Sequence, residues 1–189
     1  MEDIQKEIRN AYDVIKSGGI ILYPTDTVWG IGCDANNAEA VQKVYRLKKR
    51  VETKSMIVLV NERVLHYVFK NIPEVAWDII EYSNKPTTLI LDNPKNVAPE
   101  IIASDKSLGV RIVQEPFCYG LIERMKSALV STSANISGQP APKNFSEISA
   151  EIIDGVDYVV NLKQNDFKSA KPSTIIKLKE NGEVAIIRK

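Results

Sequence analysis

The sequence predicts an α/β domain, and three features predict it. Short apolar runs alternate along the chain with segments whose apolar residues recur at helical spacing. Forty-four per cent of the residues are hydrophobic and 26% charged, which supplies a core and excludes a disordered chain. A length of 189 residues, with no internal repeat and no composition shift that marks a linker, fits one domain over residues 1–189.

Ile4, Ile8, Ala11, Tyr12 and Ile15 share one face of a predicted first helix, which Gly18-Gly19 ends because glycine takes the left-handed cap without steric cost. Residues 20–23 read as a buried strand stopped by Pro24, and residues 25–34 as a polar, glycine-punctuated loop. Residues 37–48 read as a helix with Ala40, Val41, Val44 and Leu47 on one face, leading into Lys48-Lys49-Arg50. A strand is expected over 56–60, then helices over 61–69 and 73–82, the second with Pro73 in its first turn. Strands are expected at 87–91, 108–113 and 129–132, with a helix at 116–126. A short helix is expected at 146–152, then strands at 156–160, 173–178 and 184–187, the last pair joined by the hairpin signal Asn181-Gly182.

Lys plus Arg numbers 25 against 24 for Asp plus Glu, a formal net charge of +1. Such a balance supplies no global field for coating nucleic acid, so an anion site must come from a few placed cations. No apolar run is long enough to span a membrane, and the start is acidic and amphipathic rather than a secretory leader. A cytoplasmic protein is expected. Cys33 and Cys118 have no metal-ligand spacing and read as free thiols. His66 is the only histidine, which excludes a multi-histidine metal site.

Five groups of residues could carry chemistry. The run from Pro24 to Ala35 clusters Thr25, Asp26 and Thr27 just after a strand, where open α/β sheets bind ligands. It reads either as a satisfied turn or as a binding loop. Leu47-Lys48-Lys49-Arg50, with Lys54 after it, reads either as a solvated helix end or as a clamp for a polyphosphate. Ser131-Thr132-Ser133-Ala134-Asn135 follows a buried strand with small polar residues that let a ligand approach the backbone, without a Walker or G-x-G-x-x-G pattern. Arg111 lies inside the apolar strand Gly109-Val110-Arg111-Ile112-Val113 and needs a partner, a protein carboxylate or an anionic ligand. Lys171-Pro172-Ser173-Thr174 opens one strand, and Arg188 closes another. Cys33 is discounted as a nucleophile because no base is visible near it.

In this order these segments resemble the YrdC-like family, the threonylcarbamoyl-AMP synthases of tRNA modification. The resemblance rests on Pro24 to Gly32, Lys48 with Arg50, Val110-Arg111, Ser131 to Asn135, Ser173 to Ile175, and Ile187-Arg188, and it covers nearly the whole chain. Trp29 stands where the family has tyrosine, and the segments at Lys54-Ser55-Met56, Asn84 to Thr88 and Val113 also depart from its pattern. The chain resembles the short form, without an additional C-terminal domain.

The resemblance implies a twisted mixed sheet with flanking helices and a positively charged concave face. It implies condensation of L-threonine with bicarbonate or CO2 and then with ATP, giving threonylcarbamoyl-AMP and pyrophosphate. A downstream threonylcarbamoyl transferase complex would pass the group to the adenosine beside the anticodon of tRNA. By the same resemblance Lys48 and Arg50 grip the triphosphate, alongside Mg²⁺ and with no metal ligand from the protein. Ser107, Ser133, Asn135 and Arg188 join the ATP site, and Thr25, Arg111, Ser131 and Ser173 hold threonine or its carbamate. Replacing Lys48 or Arg50 is expected to remove a phosphate contact without touching a core position. The chemistry needs two anions held in line rather than a protein nucleophile.

Two other readings compete. An RNA-binding module for double-stranded RNA or tRNA, acting without turnover, lacks support from the net charge and from any RNP-like or KH-like loop. The related domain of hydrogenase-maturation carbamoyltransferases sits in longer chains with zinc-finger-like cysteines, which this sequence lacks.

Overall fold

The structure, a computed structural model, describes residues 2–49, 56–166 and 172–188. Helix α1 (Glu2–Lys16) ends as expected, with Gly18 at φ 78°. It is followed by β1 (Ile21–Tyr23), β2 (Gly30–Gly32), α2 (Ala38–Leu47) and β3 (Ile57–Val60). Asn37 caps α2, accepting from the Ala40 amide at 3.0 Å. Then come α3 (Glu62–Val68), α4 (Glu74–Tyr82), β4 (Thr87–Asp92), β5 (Ser107–Ile112), α5 (Pro116–Met125) and β6 (Leu129–Ser133). The chain continues with α6 (Ala150–Gly155), β7 (Tyr158–Val159), β8 (Thr174–Leu178) and β9 (Val184–Arg188).

These nine strands form one sheet, in the order β7-β1-β2-β6-β3-β5-β4-β8-β9. It is mixed: β1 with β7, β3 with β5 and β4 with β8 run parallel, and the other neighbours antiparallel. Among the described residues no helix is long and apolar enough to cross a membrane.

Register explains why the two faces differ. Directly paired residues point the same way, and side chains alternate along each strand. Val130, Val58, Val110 and Leu89 form one row across β6, β3, β5 and β4, and all four are buried core residues. One residue along, the row on the opposite face reads Ser131, Ile57, Gly109 and Ile90. Ser133, Arg111, Ser107 and Thr88 fall on this second face by the same alternation. The first face builds the core; the second buries Leu59 and Leu129 beside Arg111 and also carries hydroxyls and a glycine.

Two expectations change. The loop expected over 25–34 contains β2, paired with both β1 and β6. Its glycines hide it from a propensity reading. Gly32 is required there, since a Cβ would lie 2.1 Å from the Val130 carbonyl oxygen and 2.9 Å from Tyr23 Cε1. The short helix expected over 146–152 is instead a 3₁₀ turn at Phe145–Glu147, capped by Asn144, followed by α6. The hairpin at Asn181-Gly182 is present, closed by Lys179 N–H donating to the Glu183 carbonyl at 3.0 Å.

Candidate active site

The polar face of the sheet opens into two adjoining cavities. One, of about 310 Å³, is lined by Thr27, Gly30, Arg111, Ser131, Ser133, Ser173 and Arg188 among others. The second, of about 460 Å³, is lined by Ile90, Asp105, Ser107, Gly109, Lys177 and Ile187 among others. Met56, Ile57, Thr88 and Ile175 belong to both linings and form the junction between them.

Arg111 is 3% exposed, and its Nη2 donates to Asp26 Oδ1 at 2.9 Å. Its Nε is buried without a partner. The structure supplies the protein carboxylate at one end of the guanidinium, and it places the residue in the lining of a cavity with Nε unpartnered. The carboxylate comes from the loop after β1, so that loop and β5 are tied together under the first cavity.

Thr25 is turned into its own loop. Its hydroxyl donates to the Val28 carbonyl at 2.8 Å and accepts from the Thr27 amide at 2.9 Å. Thr27, not Thr25, lines the cavity. Ser131 and Ser133, at alternate positions of β6, face the cavity together. Ser173 lies just before β8, its hydroxyl 2.8 Å from that of Thr88. Arg188 grips the Ser173 carbonyl through Nε at 3.0 Å and Nη2 at 2.8 Å.

Ser107 belongs to the second cavity and donates its hydroxyl to Asp105 Oδ1 at 2.6 Å. Lys177 Nζ reaches the other oxygen at 2.5 Å. These bonds, that from Lys177 foremost, hold the Asp105 carboxyl down at about 2.

The cationic helix end differs from expectation. Lys48 is 1% exposed, so the expectation that it touches no core position is corrected. Its Nζ donates to the carbonyls of Ser133 and, at 2.6 Å, of Asn135, while its own carbonyl accepts from Ser137 N–H at 2.8 Å. The lysine thus turns inward from the end of α2 and ties down the loop after β6, without lining either cavity. Asn135 uses Nδ2 to bond the carbonyls of Ile136 and Gln139 at 3.0 and 2.8 Å, and its Oδ1 is buried without a partner. Arg50, Lys54 and Lys171 lie outside the described residues.

Sequence reasoning missed Thr88, Asp105, Lys177 and the link from Asp26 to Arg111. The usable signal for Thr88 and Lys177 was the period of two along β4 and β8 once pairing is known; Asp26 and Asp105 lie on loops that no periodicity reaches. Cys33 and Cys118 are both buried, and burial pushes both thiols up. His66 is exposed and lies against Trp77, ring centroids 5.4 Å apart.

The Sua5/YciO/YrdC family, described as telomere recombination, matches residues 13–189. The chain belongs to this family. It is 32% identical over 170 residues to a threonylcarbamoyl-AMP synthase of Idiomarina loihiensis, covering 88% of this chain and 90% of the relative. It is 30% identical over 184 residues to a threonylcarbamoyl-AMP synthase of Pseudoalteromonas translucida, covering 95% and 97%. The structure of Pyrococcus abyssi Sua5 (P. abyssi) complexed with L-threonine superposes with a TM-score of 0.80 at 26% identity, covering 90% of this chain and 50% of that one. The chain therefore spans about half the length of that Sua5 structure. Escherichia coli YciO (E. coli) shares the fold at a TM-score of 0.82 and 23% identity, covering 98% of this chain and 89% of that one. Within the Sua5/YciO/YrdC family, then, the mixed sheet with its flanking helices is the shared architecture.

Proposed function

We propose that this chain is a threonylcarbamoyl-AMP synthase acting as one domain over residues 1–189. The observation that carries the reading is the pair of adjoining cavities on one polar sheet face, one holding Arg111 with Ser131 and Ser173, the other Ser107. Threonine occupies the first, with its carboxylate toward the free edge of Arg111 and its polar groups among Ser131, Ser173 and Thr27. Thr25 acts by holding the loop that carries Thr27 and Asp26. ATP spans the junction, toward Ser107 on one side and toward Ser133 and Arg188 on the other. Lys48 supports the phosphate-facing loop from behind and Asn135 shapes its turn, while Arg50 is assigned to the triphosphate. Arg111, Arg188 and Lys177 are the cations of this face; Asp26 pairs with Arg111 and Asp105 with Lys177, which leaves Arg188 as its excess positive charge among these residues.

Threonine and bicarbonate first form the carbamate with loss of water. One carbamate oxygen then attacks the α-phosphorus of ATP, the bond from that phosphorus to the bridging oxygen breaks, and pyrophosphate leaves. Every step is positioning and charge neutralisation. Among the described residues no group of three or more His, Cys, Asp or Glu side chains could hold a metal ion. Mg²⁺ would accompany ATP, bound through phosphate oxygens and water. The product goes to a cytoplasmic threonylcarbamoyl transferase complex that modifies tRNA.

Pyrophosphate release tests the reading. Purified protein is expected to release it only when ATP, L-threonine and bicarbonate are all present, with serine a poorer substrate. Equal release without an amino acid refutes the assignment, as does tight tRNA binding without any turnover.

A further inference from the structure

Of the four residues common to both cavities, Met56, Ile57 and Ile175 present apolar side chains, and only Thr88 presents a polar one. Thr88 is 1% exposed, so its hydroxyl is placed rather than merely solvated. It faces the cavities because β4 pairs with β8 in the register Thr88 to Ile175, and both residues lie on the polar face.

The hydroxyl's hydrogen bonds count out unevenly. Thr88 Oγ1 and Ser173 Oγ lie 2.8 Å apart, and either can donate to the other. Arg188 Nη2 also approaches Ser173 Oγ, at 3.5 Å, as a donor. Two hydroxyls carry two protons, and the bond between them uses one. The second proton has no acceptor among the described residues, although both side chains line the first cavity. A buried O–H without an acceptor costs stability until something supplies one. Arg188 reinforces the arrangement: its two bonds to the Ser173 carbonyl fix the entry to β8 against the end of β9, and with it the position of the Ser173 hydroxyl beside Thr88.

We propose that Thr88 is a further substrate-positioning residue: with Ser173 donating to Thr88 Oγ1, the Thr88 hydroxyl, which unlike that of Ser173 lines both cavities, donates the remaining proton to an anionic oxygen passing between them. This rests on the functional reading above: the oxygen shared by a carbamate in one cavity and an α-phosphate in the other is the one that crosses the junction. A donor at that point strengthens as charge builds between the two substrates and does little for either alone.

The test compares Thr88→Val, which keeps the shape and removes the hydroxyl, with Thr88→Ser, which keeps the hydroxyl. Steady-state pyrophosphate release gives kcat, calorimetry gives Kd for ATP alone and for L-threonine alone, and thermal melting reports folding. T88V is expected to lose kcat by about 10- to 100-fold while both Kd values and the Tm stay near wild type, and T88S to retain most of the rate. Unchanged kcat in T88V overturns the inference, as does a Kd for one substrate weakened by the full factor, which would place Thr88 in one cavity only. If T88V does not fold, T88S against Thr88→Ala decides on the same criteria, the serine keeping the rate and the alanine losing it. A wild-type protein with no threonine-dependent release overturns the functional reading and this inference with it; an active wild type matched by T88V overturns this inference alone.

Discussion

Arg111→Lys separates the two duties that the structure gives this residue. The arginine is 3% exposed, holds Asp26 through Nη2 at 2.9 Å, and keeps Nε buried without a partner beside the first cavity. Lysine preserves the charge but replaces a planar fork with a single point, so it can serve Asp26 or a substrate carboxylate, not both well. Losing one hydrogen bond to a charged group is worth about 1.5–3 kcal/mol, or roughly 10- to 150-fold in the Kd for threonine. The fold loses less, because the ammonium still reaches Asp26. A cost of about 1 kcal/mol corresponds to a Tm fall of roughly 2–4 °C in a domain of this size. Calorimetry with L-threonine, calorimetry with ATP alone and a thermal melt measure the three quantities. The reasoning is refuted if Tm falls while threonine affinity stays within about twofold of wild type. In that case Arg111 serves only Asp26. Loss of ATP binding with threonine binding intact refutes it as well.

Lys48→Met keeps the stem and removes the ammonium from the Ser133 and Asn135 carbonyls. Stability is expected to fall by about 2–4 kcal/mol, a Tm drop of roughly 4–16 °C, together with weaker ATP turnover; an unchanged Tm would mean that the lysine serves the phosphates alone. Cys33 and Cys118 are buried with thiols pushed up, so neither is expected to be alkylated in native protein at mildly alkaline pH, and both to react in denaturant. Fast labelling of either native thiol contradicts this. Asp105 titrates at about 2 in the folded protein, below the ordinary value of about 3.9, so its contribution is full above the ordinary value and is lost as pH falls through the folded one. Asp105→Asn is expected to flatten slightly the acid side of the Tm–pH curve below about pH 4, the effect being small because the carboxylate is half exposed; superimposable curves disprove it.

The legible parts of this protein were those written in periodicity. Ile20 to Tyr23 and Met56 to Val60 are runs of large apolar residues, and each marks a strand close to its observed bounds. The Gly30-Ile31-Gly32 strand was illegible because what holds it is a close approach to the Val130 carbonyl, a tertiary constraint that leaves no side-chain pattern. Site residues divide in the same way. Arg111 stood out as a charge among Val110, Ile112 and Val113, and the need for a partner followed from that alone. That the partner would be Asp26, 85 positions away, depended on where the loop after β1 folds over β5. Lys48 misled because a cation at the end of an amphipathic helix has the same sequence signature whether it points outward or inward. Its burial is decided by the Ser133–Asn135 carbonyls brought up by a strand far along the chain.

The same alternation that builds the core also restricts the chemistry. With Val58, Val110 and Val130 pointing to one face, residues next to them in sequence must point to the other, and those are Ile57, Leu59, Gly109, Arg111, Leu129 and Ser131. A sheet so divided offers the cavities hydroxyls, a guanidinium and a close approach to backbone. Both thiols are enclosed in the core, and His66 faces solvent on α3. Groups of this kind hold and neutralise anions. A reaction in which one bound anion attacks another needs that property above all, since the attacking carbamate brings its own nucleophilic oxygen and the leaving pyrophosphate needs only charge compensation.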